Sequence, residues 1–438
     1  MADGGDMAPL AERLAAAPSL KRTGRLRRAQ GVILRASGVD AAIGQTCEVH
    51  DPRTGRRLGA EVVGLADGEA LLSPLGDPRG LSADAEVRPA GQASAVPFGP
   101  ELLGRIIDAN GEPIDGHGPL GVSGTRPLYA DSPNPMSRPP IARVLPTGIR
   151  AVDAGLTLGV GQRVGVFAMA GVGKTTFLGM AARGARADVN VIALIGERGR
   201  EVRELIEDVL GPEGLARSVV VVATSDRPAR ERARAAYAAT AIAEGFRAAG
   251  QHCLLLMDSV TRFARALREV GLASGEPPVR RGLPPSVFAE LPRLFERAGA
   301  TEDGAITGLY TVLVEDEDDD DPVGEETRSL LDGHIVLSRA RARLGAYPAI
   351  DVPASVSRLA QRLQDPAHAA NAQRLRALIA KHEDVAFLVK LGEYERGSDP
   401  EADAALDRMP MIEALLRQDA QAPSGWDEAL AQLHGAVA

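Results

Sequence analysis

The sequence predicts an α/β protein in which a parallel sheet covered by helices follows a small β-barrel and precedes a helical domain. Three observations carry the prediction. From residue 151 to about 365, apolar runs alternate with helix-compatible segments, the pattern of parallel strands joined by crossover helices. Over residues 21–97, short β-like runs recur between glycine turns, as in a barrel or sandwich. Over 366–438, leucines fall at three- and four-residue spacing, as in a small helical bundle. The 438 residues exceed one simple core, and at ~150 residues per domain two or three are expected.

Taken in order, residues 1–20 carry Leu10, Leu14 and Leu20 among alanines. They read as a frayed terminal helix, or as an amphipathic one that docks a partner or lies on a membrane surface. The barrel strands are expected at 31–34, 46–49, 60–63 and 70–72, between turns such as Asp51-Pro52-Arg53-Thr54-Gly55. Residues 98–150 are rich in Pro and Gly and read as an ordered connector rather than a packed core. In the sheet domain, strands are expected at 164–167, 189–195, 218–223, 253–259, 307–314 and 334–337, with a long helix over 230–249. The C-terminal helices are expected at 372–382, 385–394, 410–417 and 426–433.

One loop organises the chain. After the run Val164-Gly165-Val166-Phe167 come Ala168, Met169, Ala170, Gly171, Val172, Gly173, Lys174, Thr175 and Thr176, the last opening a helix. Strand, glycine turn and helix start together make a phosphate cradle. The glycines let backbone N–H groups face an anion, Lys174 adds a point charge, Thr175 offers a hydroxyl to Mg²⁺, and the helix presents its positive end. Ala168 stands where the pattern usually has its first glycine.

Strand ends supply the remaining chemistry, because ligands of such sheets collect at the carboxyl edge. Asp258 closes the run Leu254-Leu255-Leu256-Met257 and suits a carboxylate that holds Mg²⁺ through its water shell. Glu197, after Leu194-Ile195-Gly196, suits a base that polarises attacking water; a solvated strand-end charge is the bland alternative. Arg198 and Arg262 can neutralise charge on a transferring phosphoryl group or serve surface salt bridges. Tyr347, in a proline turn, can hold its ring against a purine or be a structural tyrosine corner. Pro277-Pro278 and Pro284-Pro285 bracket Arg280 and Arg281, suggesting an exposed functional loop.

Composition narrows the classes. Aromatic residues are 3% and net charge is −9, which disfavours a nucleic-acid partner. The two cysteines, Cys47 and Cys253, lack partners at metal-ligand spacing and read as small buried apolar side chains. No apolar run approaches a membrane span, so a cytoplasmic or peripheral protein is expected. The seven consecutive carboxylates of Glu315 to Asp321 read as a solvated, mobile loop.

With these residues in hand, the sequence is similar to the ATPases of type III protein export, most of all the flagellum-specific branch. The resemblance covers about residues 30–400. It rests on Pro133-Asn134-Pro135-Met136, Thr147-Gly148-Ile149-Arg150-Ala151-Val152-Asp153, the phosphate loop, Leu194 to Val202, Met257 to Arg262, Gly275-Glu276-Pro277-Pro278, Pro284 to Ala289, Leu331 to Arg339 and Tyr347 to Asp351. It implies a RecA-like nucleotide-binding core and a homohexamer that hydrolyses ATP with Mg²⁺ at the cytoplasmic face of the inner membrane. Lys174 and Thr175 then match the phosphate and Mg²⁺ ligands, Glu197 the catalytic carboxylate, Arg198 and Arg262 the phosphate-side arginines, and Glu201 and Asp258 the metal's outer shell. Tyr347 matches the adenine-stacking position, and Arg358 the arginine finger that reaches a neighbouring subunit's site. The implied partners are a regulatory stator-like protein at the N-terminus, the export gate, export chaperones and cargo. Met169-Ala170 replaces the family's common Gly-Ser. An injectisome ATPase, a rotary synthase subunit, an RNA translocase and a non-hydrolysing regulatory subunit are the competing readings.

Overall fold

The computed structural model describes residues 23–122, 124–314 and 321–438. The expected N-terminal helix and six of the seven acidic residues, 315–320, lie outside these. The chain forms two compact units, meeting in sequence at Ser94 and Ala95.

The first unit is a closed antiparallel barrel of β1 (Gly24–Gln30), β2 (Ile33–Ser37), β3 (Gln45–His50), β4 (Arg57–Ala66), β5 (Glu69–Pro74) and β6 (Glu86–Ala93), in the order β1-β2-β5-β4-β3-β6. Its core includes Leu34, Cys47, Val49, Val62, Leu72 and Val87. Burial pushes the Cys47 thiol up to about 11, as fits a cysteine used as an apolar side chain. Strands β1 and β6 escape a reading by alternation. In Gly-Arg-Leu-Arg-Arg-Ala-Gln only Gly24 and Leu26 are buried, and β6 carries a proline.

In the second unit, β7 (Ala95–Phe98) pairs with β9 (Gly124–Pro127), and β10 (Val144–Leu145) with β11 (Leu158–Gly159). The main sheet holds β8 (Ile106–Asp108), β12 (Arg163–Ala168), β13 (Val189–Ile195), β14 (Ser218–Ala223), β15 (His252–Asp258), β17 (Ala305–Leu313), β18 (Gly333–Leu337) and β19 (Ile350–Ser357). Their order is β19-β18-β12-β17-β15-β13-β14-β8, with the short β16 (Gly299–Ala300) beside β17. Every residue of β13, β14 and β15 is buried, because helices cover both faces and remove the need for polar alternation. The antiparallel edge strand β19 alternates instead, and its Pro353 is tolerated at an edge.

The helices used below are α1 (Arg150–Gly155), α2 (Lys174–Gly184), α3 (Gly199–Glu204), α4 (Ala229–Ala248), α5 (Val260–Ala273), α6 (Pro366–Leu391), α7 (Pro400–Leu416) and α8 (Trp426–Val437). Alanine-rich α4 packs on β13, β14 and β15, its small side chains letting helix and sheet approach closely. The C-terminal helices α6, α7 and α8 pack on one another and on α1.

Two expectations need correction. The connector is ordered, but part of it is core: β8 pairs in parallel with β14, and Leu102, Ile107 and Leu128 are fully buried. The segments expected as separate helices at 372–382 and 385–394 lie largely in one continuous helix, α6, which Asp365 caps and Gly392 ends in the left-handed region. Nothing between His382 and Val385 removes a backbone donor, so the helix has no reason to stop there.

Candidate functional site

Strand β12 lies between β17 and β18 and delivers the chain to the sheet's carboxyl edge, where residues 169–173 turn into α2. Gly171 and Gly173 have φ of 80° and 94°, a region that favours glycine. Gly173 is also short of space: a Cβ there would lie 3.0 Å from the Tyr347 ring. Lys174, Thr175 and Thr176 form the first turn of α2, and no side chain caps its N–H groups, so the backbone donors and the positive helix end suit an anion. Val172 is buried against the core and anchors the loop from below.

Two neighbouring strand ends bring carboxylates to the lysine. The Lys174 ammonium donates to Glu197 Oε1 at 3.1 Å and to Asp258 Oδ1 at 2.5 Å. Arg262, in the first turn of α5, donates to Glu197 Oε1 and Oε2, each at 3.3 Å. Its side chain crosses Gly196, where a Cβ would meet Arg262 Cδ at 2.9 Å. Burial alone would lower the Lys174 ammonium, but Asp258 and Glu197 reverse this and hold its pKa above the ordinary value. Burial raises the Asp258 carboxyl, and nearby Glu197 adds to the rise, while Lys174 and the Thr311 hydroxyl act against it. Two acids and two cations thus share one partly dry corner, and two of the three ammonium protons are engaged.

The other residues singled out by sequence are placed differently. Arg198 has a side chain 76% exposed and pairs with Glu201 at 3.7 Å; both belong to the start of α3, and neither bonds to Lys174 or Asp258. Tyr347 is half-exposed, its ring over Gly173. Arg358 stands apart. Strand β19 pairs Ile350 with Leu337 near the loop and Ser357 with Gly333 at the opposite edge, so Arg358 follows the far end. There its guanidinium donates to Arg328 O at 3.1 Å and its N–H to Asp332 O at 3.0 Å. Arg280 and Arg281 are exposed, and Arg280 pairs with Glu325.

Thr311 escaped the sequence reading. It is fully buried in β17 and donates to Asp258 Oδ1 at 2.7 Å. The available signal was a threonine, the one small hydroxyl side chain in the run Leu309-Tyr310-Thr311-Val312-Leu313, since most buried polar groups meet a partner. Among the described residues, no three His, Cys, Asp or Glu side chains form a metal cage, and no helix is long and apolar enough to cross a membrane.

Comparison with known proteins reports on the same residues. Residues 148–357 match the nucleotide-binding domain of the ATP synthase alpha/beta family, and residues 364–435 match the T3SS EscN ATPase C-terminal domain. A type 3 secretion system ATPase of Xanthomonas euvesicatoria is 54% identical over 411 residues, 94% of this chain and 93% of that protein. A flagellum-specific ATP synthase of Bacillus subtilis is 46% identical over 418 residues, 95% of each. The assembled ATPase EscN of the enteropathogenic E. coli type III secretion system superposes with a TM-score of 0.90 at 43% identity, over 95% of this chain and all of that one. A phosphate loop facing two strand-end carboxylates and near-full-length similarity to export ATPases converge: this chain belongs to the type III secretion ATPases, ATP-hydrolysing enzymes involved in protein export.

Proposed function

We propose that the chain works as a ring of identical subunits, a homohexamer, whose ATP sites lie between neighbours. The observation that carries this is the separation of Arg358 from Lys174 along one sheet. The eight residues of β19, at ~3.3 Å each, put roughly 25 Å between the loop edge and Arg358. Arg358 therefore serves a second copy's site. The relative EscN is known in assembled form, and also in complex with its central stalk EscO.

In this reading the loop from Ala168 to Thr176 cradles the phosphates, Lys174 turns from its carboxylates to the outer phosphate, and the Tyr347 ring holds adenine. Glu197 accepts a proton from the attacking water while the bond from the γ-phosphorus to the β–γ bridging oxygen breaks, giving ADP and phosphate. Arg262 stays on Glu197 and orients it. Arg198, on the rim, and Arg358 of the neighbouring subunit offset charge on the equatorial oxygens. The donors near Lys174 fit Mg²⁺, since the Thr175 hydroxyl and Asp258 carboxylate are hard oxygens, with Glu201 further out. Bound Mg²⁺ would neutralise charge on the phosphate oxygens.

Identities run higher against proteins named type 3 secretion system ATPase (54, 50 and 50%) than against flagellum-specific ones (46, 45 and 47%). Relatives of both branches match over 90% or more of each chain, so the flagellar role that the motifs suggested is kept as the proposal, with an injectisome role as its alternative. A stator-like regulator at the N-terminus, the export gate, chaperones with their cargo and peripheral placement at the inner membrane complete the proposal. The ring is tested by mixing Arg358→Ala with Lys174→Ala subunits, each inactive alone. Shared sites predict partial recovery of hydrolysis in mixed rings; no recovery at any ratio would rule out completion by a neighbour.

A further inference from the structure

The loop that joins α7 to α8 lies beside the nucleotide site, and one residue ties it there. Gln418 makes four hydrogen bonds, to two other segments and to its own loop. Its backbone N–H donates to Tyr347 O at 2.9 Å. Its side-chain Oε1 accepts from the backbone N–H of Arg150 at 2.9 Å, and its Nε2 donates to Gly148 O at 2.7 Å and Ala422 O at 2.9 Å. The side chain thus fixes the loop to the start of α1, and the backbone passes that fixation to the residue whose ring lies against Gly173. A free backbone N–H on a wandering loop would give Tyr347 no fixed reference; a locked one does.

We propose that Gln418 is a positioning residue for the base of the nucleotide, acting through Tyr347, so that the C-terminal helices set how firmly the base is held. The inference rests on the reading of Tyr347 as the base contact. Gln418 itself need touch no part of ATP. Its effect falls on the base and not on the phosphates, which the loop of 168–176 and Lys174 hold independently.

The test compares dissociation constants for ATP and for inorganic triphosphate, which lacks a base, on the same sample of full-length protein. Unfolded molecules bind neither, so the ratio reports on folded ones even if a variant is less stable. Stacking of a base on an aromatic ring contributes to affinity, so Tyr347→Ala should weaken ATP about tenfold. Gln418→Ala should weaken ATP about fivefold, leave triphosphate unchanged, and add nothing in the Tyr347→Ala background. Gln418→Glu keeps the acceptor for Arg150 but loses the two donors, and should match Gln418→Ala. In turnover the loss should appear as a rise in KM for ATP that exceeds any fall in kcat. Should Tyr347→Ala leave the ratio at its wild-type value, the base reading itself fails. If Tyr347→Ala raises the ratio of the ATP to the triphosphate dissociation constant but Gln418→Ala or Gln418→Glu does not, or if Gln418→Ala weakens both ligands equally, the positioning role is overturned.

Discussion

The two edges of the main sheet both bury charge, and they do so with different cations. At the carboxyl edge Lys174 bridges Glu197 and Asp258. At the opposite edge, Arg163 opens β12 and donates from Nε to Asp332 Oδ2 at 3.1 Å and from Nη1 to Glu296 Oε1 at 2.5 Å, while its backbone N–H donates to the same Asp332 oxygen at 3.0 Å. Burial would lower the Arg163 guanidinium, but Asp332 and Glu296 raise it well above the usual range. The arginine's planar fork fixes several partners at once, whereas a lysine is a rotatable point charge that can exchange one oxygen for another. The edge that must accept a ligand uses the cation that can change partners, and the edge that holds strands together uses the one that cannot.

The strongest challenge to this division is Arg358, an arginine at the structural edge to which a reactive role is assigned. Arg358→Ala should lower ATP hydrolysis by the assembled ring by about 10⁴-fold with ATP binding kept. Steady-state turnover within tenfold of wild type would place Arg358 with the structural arginines instead. At the other edge, Glu197→Gln keeps the shape but not the basicity, and should lower kcat by about 10³-fold. Single-turnover hydrolysis together with nucleotide binding separates lost chemistry from lost affinity.

A third test uses Asp153, buried within α1 and bonded to neutral donors, namely the N–H and hydroxyl of Thr147 and the N–H of Gly148. Burial raises its carboxyl from 3.8 to about 6. The folded chain therefore holds this proton more tightly than the unfolded one. That contribution is fully present below pH 3.8, and is lost as pH rises through about 6. A shift of this size corresponds to about 3 kcal/mol. The pH slope of the unfolding midpoint between about pH 4 and 6 should flatten in Asp153→Asn; an unchanged slope would mean that the three donated bonds outweigh burial. The smallest effect is expected from Arg163→Lys, which keeps the charge and loses the fork. It should cost about 1–2 kcal/mol of stability, read as a lower unfolding midpoint, with no change in affinity for ATP.

Much of this was legible along the chain. Strands 189–195 and 218–223 were placed to the residue, because strands buried on both faces are unbroken apolar runs bounded by polar turns. The phosphate loop was legible because glycine positions and the lysine are contiguous. Strand β8 was hidden among prolines and glycines, since its three residues are a strand only because β14 lies beside them. Thr311 and Gln418 were hidden for a related reason. A single hydroxyl or amide carries no periodicity, and its role exists only in the partner it meets, Asp258 from 53 residues away or Gly148 from 270.

By itself the sequence determined the fold class, the cradle at 168–176 and the residue types able to serve it, because these depend on local spacing and on backbone freedom at glycine. The tertiary structure decided which charges share the site. It set Glu197, Asp258 and Arg262 around Lys174, left Arg198 and Glu201 on the rim, and sent Arg358 to the opposite edge. Proximity across a sheet is fixed by strand order and direction, and neither is written in the spacing of residues along the chain.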